Sequence, residues 1–514
     1  MACEEFYKHA PPFDGPGDRC RRNEIDSASA AQIAIMGSVS VAFSISNLFV
    51  AGWQMRTIGP KRALALQTFF PTIRVIVQAS SLLVGAKAGI IMMQASQAIT
   101  VLGGPAGYIL ILNTIIAEIT EPAARTGMFG VLQGSIMVGV AMGYFVGGSL
   151  GDNYGLIRPF ELAAISLSCC CVYVLLCIPY IDPKILSNEK KEAKPRGILG
   201  FLGPLRAMAP QLLRLQDGRI VRHFGVLFLA LGIFMGVLAT GYAPTLIQMY
   251  SMTAFEFTPT RNSILIAGNN LIRGVFLIFI FPRIISRGRH WFKSSDVPDA
   301  PQAVSDAGIP TDIQDFDPVP GTIANQEPTN APPPVEKVEG GGFDLFFLRW
   351  SLVVDGVITA SAAFVTRDWH IYIGRLVTLP IVTPSSNVPL VGFLLPLASG
   401  SAPASKGVLT EMVPASQRPE ALQAMTLVEY MATFSTLGIF GAIFSTLADT
   451  GKSYMTFYCN TVRSFQHRLI VDCINGAQAI AVVAVGILLL STFPPPGSEL
   501  VANEREEPPV GDDH

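Results

Sequence analysis

Four ionisable residues sit where the surrounding sequence is almost wholly apolar: Arg74, Arg273, Asp355 and Glu429. A charge near the centre of a bilayer is costly, so an ionisable side chain kept there is a functional candidate by default. With depth counted at about 1.5 Å per helical residue, Arg74 lies about 11 residues into the run 63–85 and Arg273 about 10 residues from either end of 263–283. Asp355 lies about 12 residues into 343–365. Arg273 and Asp355 therefore share a depth on consecutive runs, which predicts that they interact. The pair either locks two helices together or carries protons. Arg74 has no obvious acidic partner in its half of the chain. It can hold an anionic substrate, reach a carboxylate on another helix, or bond to backbone carbonyls. Glu429 and Arg349 lie only about six residues from their ends of 424–447 and 343–365. For Glu429 that depth suits an interfacial salt bridge, with proton uptake as the alternative, and Arg349 is expected to snorkel to the surface. Polar groups in broken helices also mark central sites, although such breaks serve equally as kinks or packing seams. Candidates of this kind are Asn269 and Asn270, the Tyr242-Ala243-Pro244 stretch with Gln248 and Tyr250, and the Pro396, Gly400, Pro403 run.

The elements that must position these residues follow from composition. Half of the 514 residues are hydrophobic and 14% are charged, against about 25% charged in a soluble domain. The apolar residues gather in blocks of roughly 20, the length at which a helix crosses the hydrocarbon core. Eleven spans are predicted, at 30–51, 63–85, 90–117, 128–150, 160–181, 224–246, 263–283, 343–365, 387–409, 424–447 and 476–493. The fold class is an all-α polytopic membrane protein. The stretch 369–386 is apolar but carries His370, Arg375, Pro380 and Pro384 and is not counted. Residues 182–222 form a long basic middle loop, and 286–342, rich in Pro, Asp and Gly, reads as disordered. The positive-inside rule puts 52–62, 118–127, 182–222 and 284–342 in the cytoplasm, with the tail 494–514, and puts 1–29 outside. Lys452, Arg463 and Arg468, on the outer side, run against it. Two bundles follow, 30–181 and 223–493.

The eight cysteines lack metal-ligand spacing. Cys169, Cys170, Cys171 and Cys177 read as small packing residues within one span, while Cys3 with Cys20 and Cys459 with Cys473 are possible disulfides. Met1 is followed by polar and acidic residues rather than the apolar run of a cleavable signal. The net charge of −2 gives no reason to expect nucleic acid. No nucleophile elbow, metal cluster or phosphate-binding loop points to an enzyme, and no cofactor is expected. The partners expected are the lipid bilayer, a small-molecule substrate and protons, with the chain a monomer.

Three motifs carry a family resemblance. After the first span, Gly52-Trp53-Gln54-Met55-Arg56-Thr57-Ile58-Gly59-Pro60-Lys61-Arg62 places two glycines seven apart with basic residues following. In the fourth span Gly130, Gly139, Gly143, Gly147 and Gly148 recur at a spacing that lets helix backbones approach closely. After the seventh span stands Phe281-Pro282-Arg283-Ile284-Ile285-Ser286-Arg287-Gly288-Arg289. Together with the long middle loop, these resemble the major facilitator superfamily over about residues 28–493, closest to fungal members. The resemblance implies two six-helix bundles. It makes the first span the family's helix two, so helix one has no counterpart in the sequence. It makes Gly52 to Arg62 a cytoplasmic gating loop in which Arg56 replaces an acidic residue, and the glycine series the motif associated with antiporters, with Tyr144 in place of its proline. Around Gln94 and Gln97 the family pattern is departed from further, since an arginine often stands where Gln94 does. The implied function is proton-coupled export of a drug-like compound or secondary metabolite, in the plasma membrane rather than a vacuolar one. Uptake of a small nutrient or organic anion is the alternative, and a non-transporting relic or sensor a third.

Overall fold

The structure is a computed structural model that describes residues 23–84, 86–179, 205–215, 217–241, 259–295, 341–362, 399–449, 483–495 and 499–500. Helix α1 covers Asn23–Ile58 and α2 covers Pro60–Val84. Between them Gly59 takes φ 86°, a left-handed conformation suited to glycine, and Pro60 opens α2 with its φ already set for a helix. The predicted span 90–117 is not one regular helix. Helix α3, Ala86–Ala95, tightens into a 3₁₀ turn at Ser96–Val101, and α4 begins only at Pro105, running to Ile119. The break falls at Gly103 and Gly104, which press against Leu66 O, Phe70 and Thr100 with no room for a side chain. Helices α5, Pro122–Tyr154, and α6, Arg158–Cys177, complete the first half.

The second half begins after a small hairpin in the middle loop, β1 Gln211–Arg214 paired antiparallel with β2 Ile220–His223. Strand β3, Glu499–Leu500, adds to β1 and brings the tail onto the middle loop. Helix α7 spans Gly225–Thr240 and α8 spans Pro259–Val275. A π-helical turn at Phe276–Ile280 then leads into α9, Phe281–Ser295. The wide turn falls just before Pro282, whose missing N–H and ring a regular turn would not accommodate. The expectation of disorder from 286 is corrected here. Phe281, Ile285 and Arg289 recur every fourth residue and are all buried, so the helix gains packing through Ser295. Helix α10 likewise starts at Gly341, running to Ala362, and residues between 295 and 341 lie outside the described ones. Helices α11, Ser401–Met412, and α12, Arg418–Asp449, follow, then a helical stretch at 483–490.

Within the first half α2 packs on α6 and α1 on α4, and within the second α10 packs on α11 and α7 on α12. The halves meet where α5 lies along α8 and α9 and where α1 lies along α12. One core joins them, with Leu48, Leu110 and Phe129 from the first half against Phe281, Leu409, Leu422 and Met425 from the second. The outside is apolar. In α6 Val174 alone is buried, while Ile165, Tyr173 and Leu176 are exposed. A helix greasy on its outer face is stable in lipid and a liability in water. Among the described residues five helical stretches, two of them running through more than one of these elements, are long and apolar enough to cross a membrane.

The glycine series in α5 divides. A Cβ on Gly130 would collide with Phe281, and one on Gly148 would crowd Ser263, but Gly139, Gly143 and Gly147 have nothing within 4 Å. The reading of all five as a contact seam is corrected, and the reason is angular. At about 100° per residue, Gly127, Gly130, Gly134 and Gly148 fall within about 40° of Gly134, while Gly139, Gly143 and Gly147 point to the opposite side. Gly127 and Gly134, which the motif does not include, meet Pro282, Ile278 and the Gly274 carbonyl. Gly130→Val should therefore force the α5–α9 contact apart at an overpacking cost of about 1–3 kcal/mol. Gly143→Val should leave the thermal midpoint of the purified protein unchanged. Equal midpoints for the two variants would contradict this division.

Candidate functional site

The end of the bundle carrying the basic loops is closed by a buried charge cluster. Helix α9 delivers Arg289 there because Phe281 and Ile285 fix its face against the second half, and Gly288 allows Phe343 to sit against the backbone. Arg289 bonds through Nε and Nη2 to Asp344 in the first turn of α10, and Nη2 also donates to Glu411 Oε1 at the end of α11 (2.6 Å). From the first half, α5 offers the Pro122 carbonyl to Arg289 Nη1 (3.2 Å) and the Thr126 hydroxyl to Nη2 (3.0 Å). Thr126 in turn donates to Asp344 Oδ2 (2.6 Å). Gly407 of α11 faces Thr126 so closely that any side chain would collide with it. Arginine suits this position because its planar fork donates to several acceptors at once.

Two further contacts cross the same seam. Arg56, in the expected gating loop, pairs with Glu420 of α12 (Nη2–Oε1 3.1 Å). Where the family pattern has an acid this chain has a base, and its partner is acidic. Both side chains are about half exposed, so the pair is worth at most about 1 kcal/mol. Beside it Gln423 packs on Gly52 and donates to the Leu48 carbonyl (3.1 Å), buried in both helices. Lys61 is half-buried and Arg62 exposed.

Deeper in the bundle Arg74 donates to the Thr100 hydroxyl (Nη1–Oγ1 2.9 Å), in the 3₁₀ turn where the predicted span breaks. Its Nε is buried without a hydrogen-bond partner, and among the described residues no carboxylate pairs with it. The adjoining backbone is held from below. Asn47 and Gln67 share a hydrogen bond (3.0 Å) and accept from the Gly107 and Gly104 amides, while Gln54 donates to the Leu102 carbonyl. Arg273, near the end of α8, faces the charge of Asp355 on α10, and its Nε has no hydrogen-bond partner. Asn269 is buried, whereas Asn270 spends its amide on the Ile266 carbonyl of its own helix (2.9 Å). Glu429 is near Lys406 of α11 (3.8 Å), which is itself buried. Arg349 does not snorkel. It caps the stretch 483–490, donating to the Leu488 and Ser491 carbonyls. Gln248, Tyr242, Pro244, Tyr250, Pro396 and the four cysteines of the two possible disulfides lie outside the described residues, while Gly400 packs on Phe347 and Phe281.

The sequence does not single out Thr126, Asp344, Lys406 or Glu411, and it marks Arg289 only as the last residue of the motif after the seventh span. Lys406 carried a usable signal, being a charge within the span 387–409. The others lie at or beyond predicted span ends, where charges are ordinary.

Two apolar helical bundles, sealed at one end by a charge cluster and holding isolated polar groups at mid-depth, define a polytopic membrane transporter. A family model described as Major Facilitator Superfamily matches residues 23–294, more than half of the chain, and the chain belongs to that superfamily. No curated protein matches it significantly in sequence. Among solved structures it is similar to the human organic anion transporter MFSD10 (TETRAN), at 11% identity and a TM-score of 0.58, over 92% of this chain and 86% of that one. It is also similar to the proton:xylose symporter XylE bound to 6-bromo-6-deoxy-D-glucose, at 12% identity and a TM-score of 0.53, over 90% of this chain and 86% of that one. At such identities the likeness shows the fold.

Proposed function

We propose that the chain is a proton-coupled exporter of small drug-like or secondary-metabolite molecules that carry a negative charge. The observation that carries this reading is Arg74, a mid-depth guanidinium with one hydroxyl partner and no paired carboxylate among the described residues. A cation left at that depth is costly unless something negative visits it. The named activity of the human structural neighbour, organic anion transport, fits the same chemistry. Export and proton coupling rest on the family motifs. The cluster at Arg289 and the contacts at Arg56 and Gln423 serve as the closed cytoplasmic gate, with the orientation taken from the basic loops. Such a gate also argues against a relic, which has no use for buried ions whose desolvation it must offset.

The test is flux in inside-out vesicles with an imposed pH gradient, using a panel of anionic and neutral organic compounds. An outward-directed proton gradient, with the lumen acidic, should drive anionic compounds from the bath into the vesicle lumen as protons leave to the bath. Accumulation only on the cytoplasmic face would transfer the reading to an uptake permease for an organic anion. In the same assay Asp355→Asn should remove most of the pH dependence of flux if the Arg273–Asp355 pair carries protons. Unchanged pH dependence would leave that pair a structural lock.

A further inference from the structure

Glu411 stands at the seam of the two bundles with one oxygen bonded and the other against an apolar wall. Oε1 accepts from Arg289 Nη2 (2.6 Å), while Oε2 is buried and has no hydrogen-bond partner. Oε2 lies over the Gly341 backbone, so close that a Cβ there would collide with it, and the Phe493 ring closes the same space. The guanidinium it shares is already bonded twice to Asp344, so two buried carboxylates compete for one cation. The charged groups around it are few. They are Arg289 from α9, Asp344 from α10, Arg125 from α5 and, at the start of α12, Arg418, whose Nε is directed to the Thr410 carbonyl (3.1 Å). Helix α7, also packed on α11, contains no titratable residue. On α11 itself Lys406 is engaged by Glu429.

We propose that Glu411 is a proton-binding site that fills as the two bundles close at the basic-loop end and empties as they part. The proposal rests on the reading of the chain as a proton-coupled transporter and names the group that would take the proton at the gate. Glu411 lies beyond the end of its predicted span at 409. Burial raises its carboxyl most, Arg289 opposes the rise and Asp344 adds to it, so that it is pushed up to about 7. Opening the seam returns water to Oε2 and lets the group fall toward the ordinary glutamate value of about 4.3. The closed form therefore binds the proton more tightly. Its advantage is fully present below about pH 4 and is lost as pH rises through about 7. Near neutral pH each closure takes up a proton and each opening releases it to the cytoplasm.

The test is a distance measurement between spin labels on Thr57→Cys and Gln417→Cys, exposed positions on the two halves at this end. The eight native cysteines are replaced and the protein is held in lipid nanodiscs between pH 5 and 8.5. The short-distance population should fall as pH rises, with a midpoint between the open-form value of about 4.3 and the closed-form value of about 7. Glu411→Gln, which stays neutral, should hold that population at every pH. Asp344→Asn, which removes the competing carboxylate, should move the midpoint down by a unit or more. A wild-type population that does not change with pH, or a Glu411→Gln population that titrates as the wild type does, overturns the proposal. Proton-driven flux in vesicles fails or succeeds separately. Flux without the distance titration defeats this inference alone, and titration without flux defeats the transport reading alone.

Discussion

Arg289→Ala should break the seal at the basic-loop end and expose the seam between the bundles to water-soluble reagents. Arg289 is the cation facing Asp344 and Glu411, whose side chains are 0% and 8% exposed. Removing one partner of such a group leaves charge buried without compensation, at a cost of about 3–5 kcal/mol. The closed form bears all of that cost, because in an open form water reaches the carboxylates. At about 1.4 kcal/mol per decade the open population should rise at least a hundredfold. Met412→Cys, at a buried position one residue from Glu411, reports this through its rate of reaction with a membrane-impermeant maleimide. The variant should react about a hundredfold faster in the Arg289→Ala background. Replacing all three charges by apolar or amide residues of similar volume should restore slow labelling, because a buried ion group removed as a whole costs little. Equal labelling with and without Arg289 would mean that the apolar packing of Phe281, Leu409 and Gly407 closes the seam unaided.

What could be read in the sequence follows from what the bilayer demands. Span length is dictated by hydrocarbon thickness, so α2, α5, α6 and α8 fall where the apolar runs predict. The common depth of Arg273 and Asp355 is likewise arithmetic, and the structure brings their charges within reach of each other. The break at Gly103 and Gly104 was less legible, because a Gly-Gly-Pro run inside an apolar block marks either a kink or a loop. The charge cluster was hidden for a different reason. Arg289, Asp344 and Glu411 stand at span ends, where charges usually meet water, and only the approach of α5 to α9 and α11 buries them. That burial is a property of two halves together and leaves no periodicity in either. The glycine series shows the same limit. Spacing reveals which residues are small, but the partner's position decides that Gly130 is crowded and Gly143 is not.

The second large effect is expected at Arg74. Its guanidinium spends one donor on Thr100 and keeps a buried Nε–H unmatched. If a substrate carboxylate, sulfate or phosphate group completes that set, Arg74→Gln removes a charge-assisted hydrogen bond worth about 1.5–3 kcal/mol. The KM for an anionic substrate should then rise by roughly 10- to 150-fold, while transport of a neutral compound should hardly change. Arg74→Lys keeps the charge but not the fork, and should fall between the two. A merely structural Arg74, bracing the 3₁₀ turn through Thr100, predicts something else. Loss of the brace would lower the thermal midpoint and slow every substrate alike, and Thr100→Val would reproduce it without touching the guanidinium. The decisive quantity is therefore the ratio of anionic to neutral flux in Arg74→Gln set against Thr100→Val. A substrate-binding cation moves that ratio in the first variant only, and a brace moves it in neither.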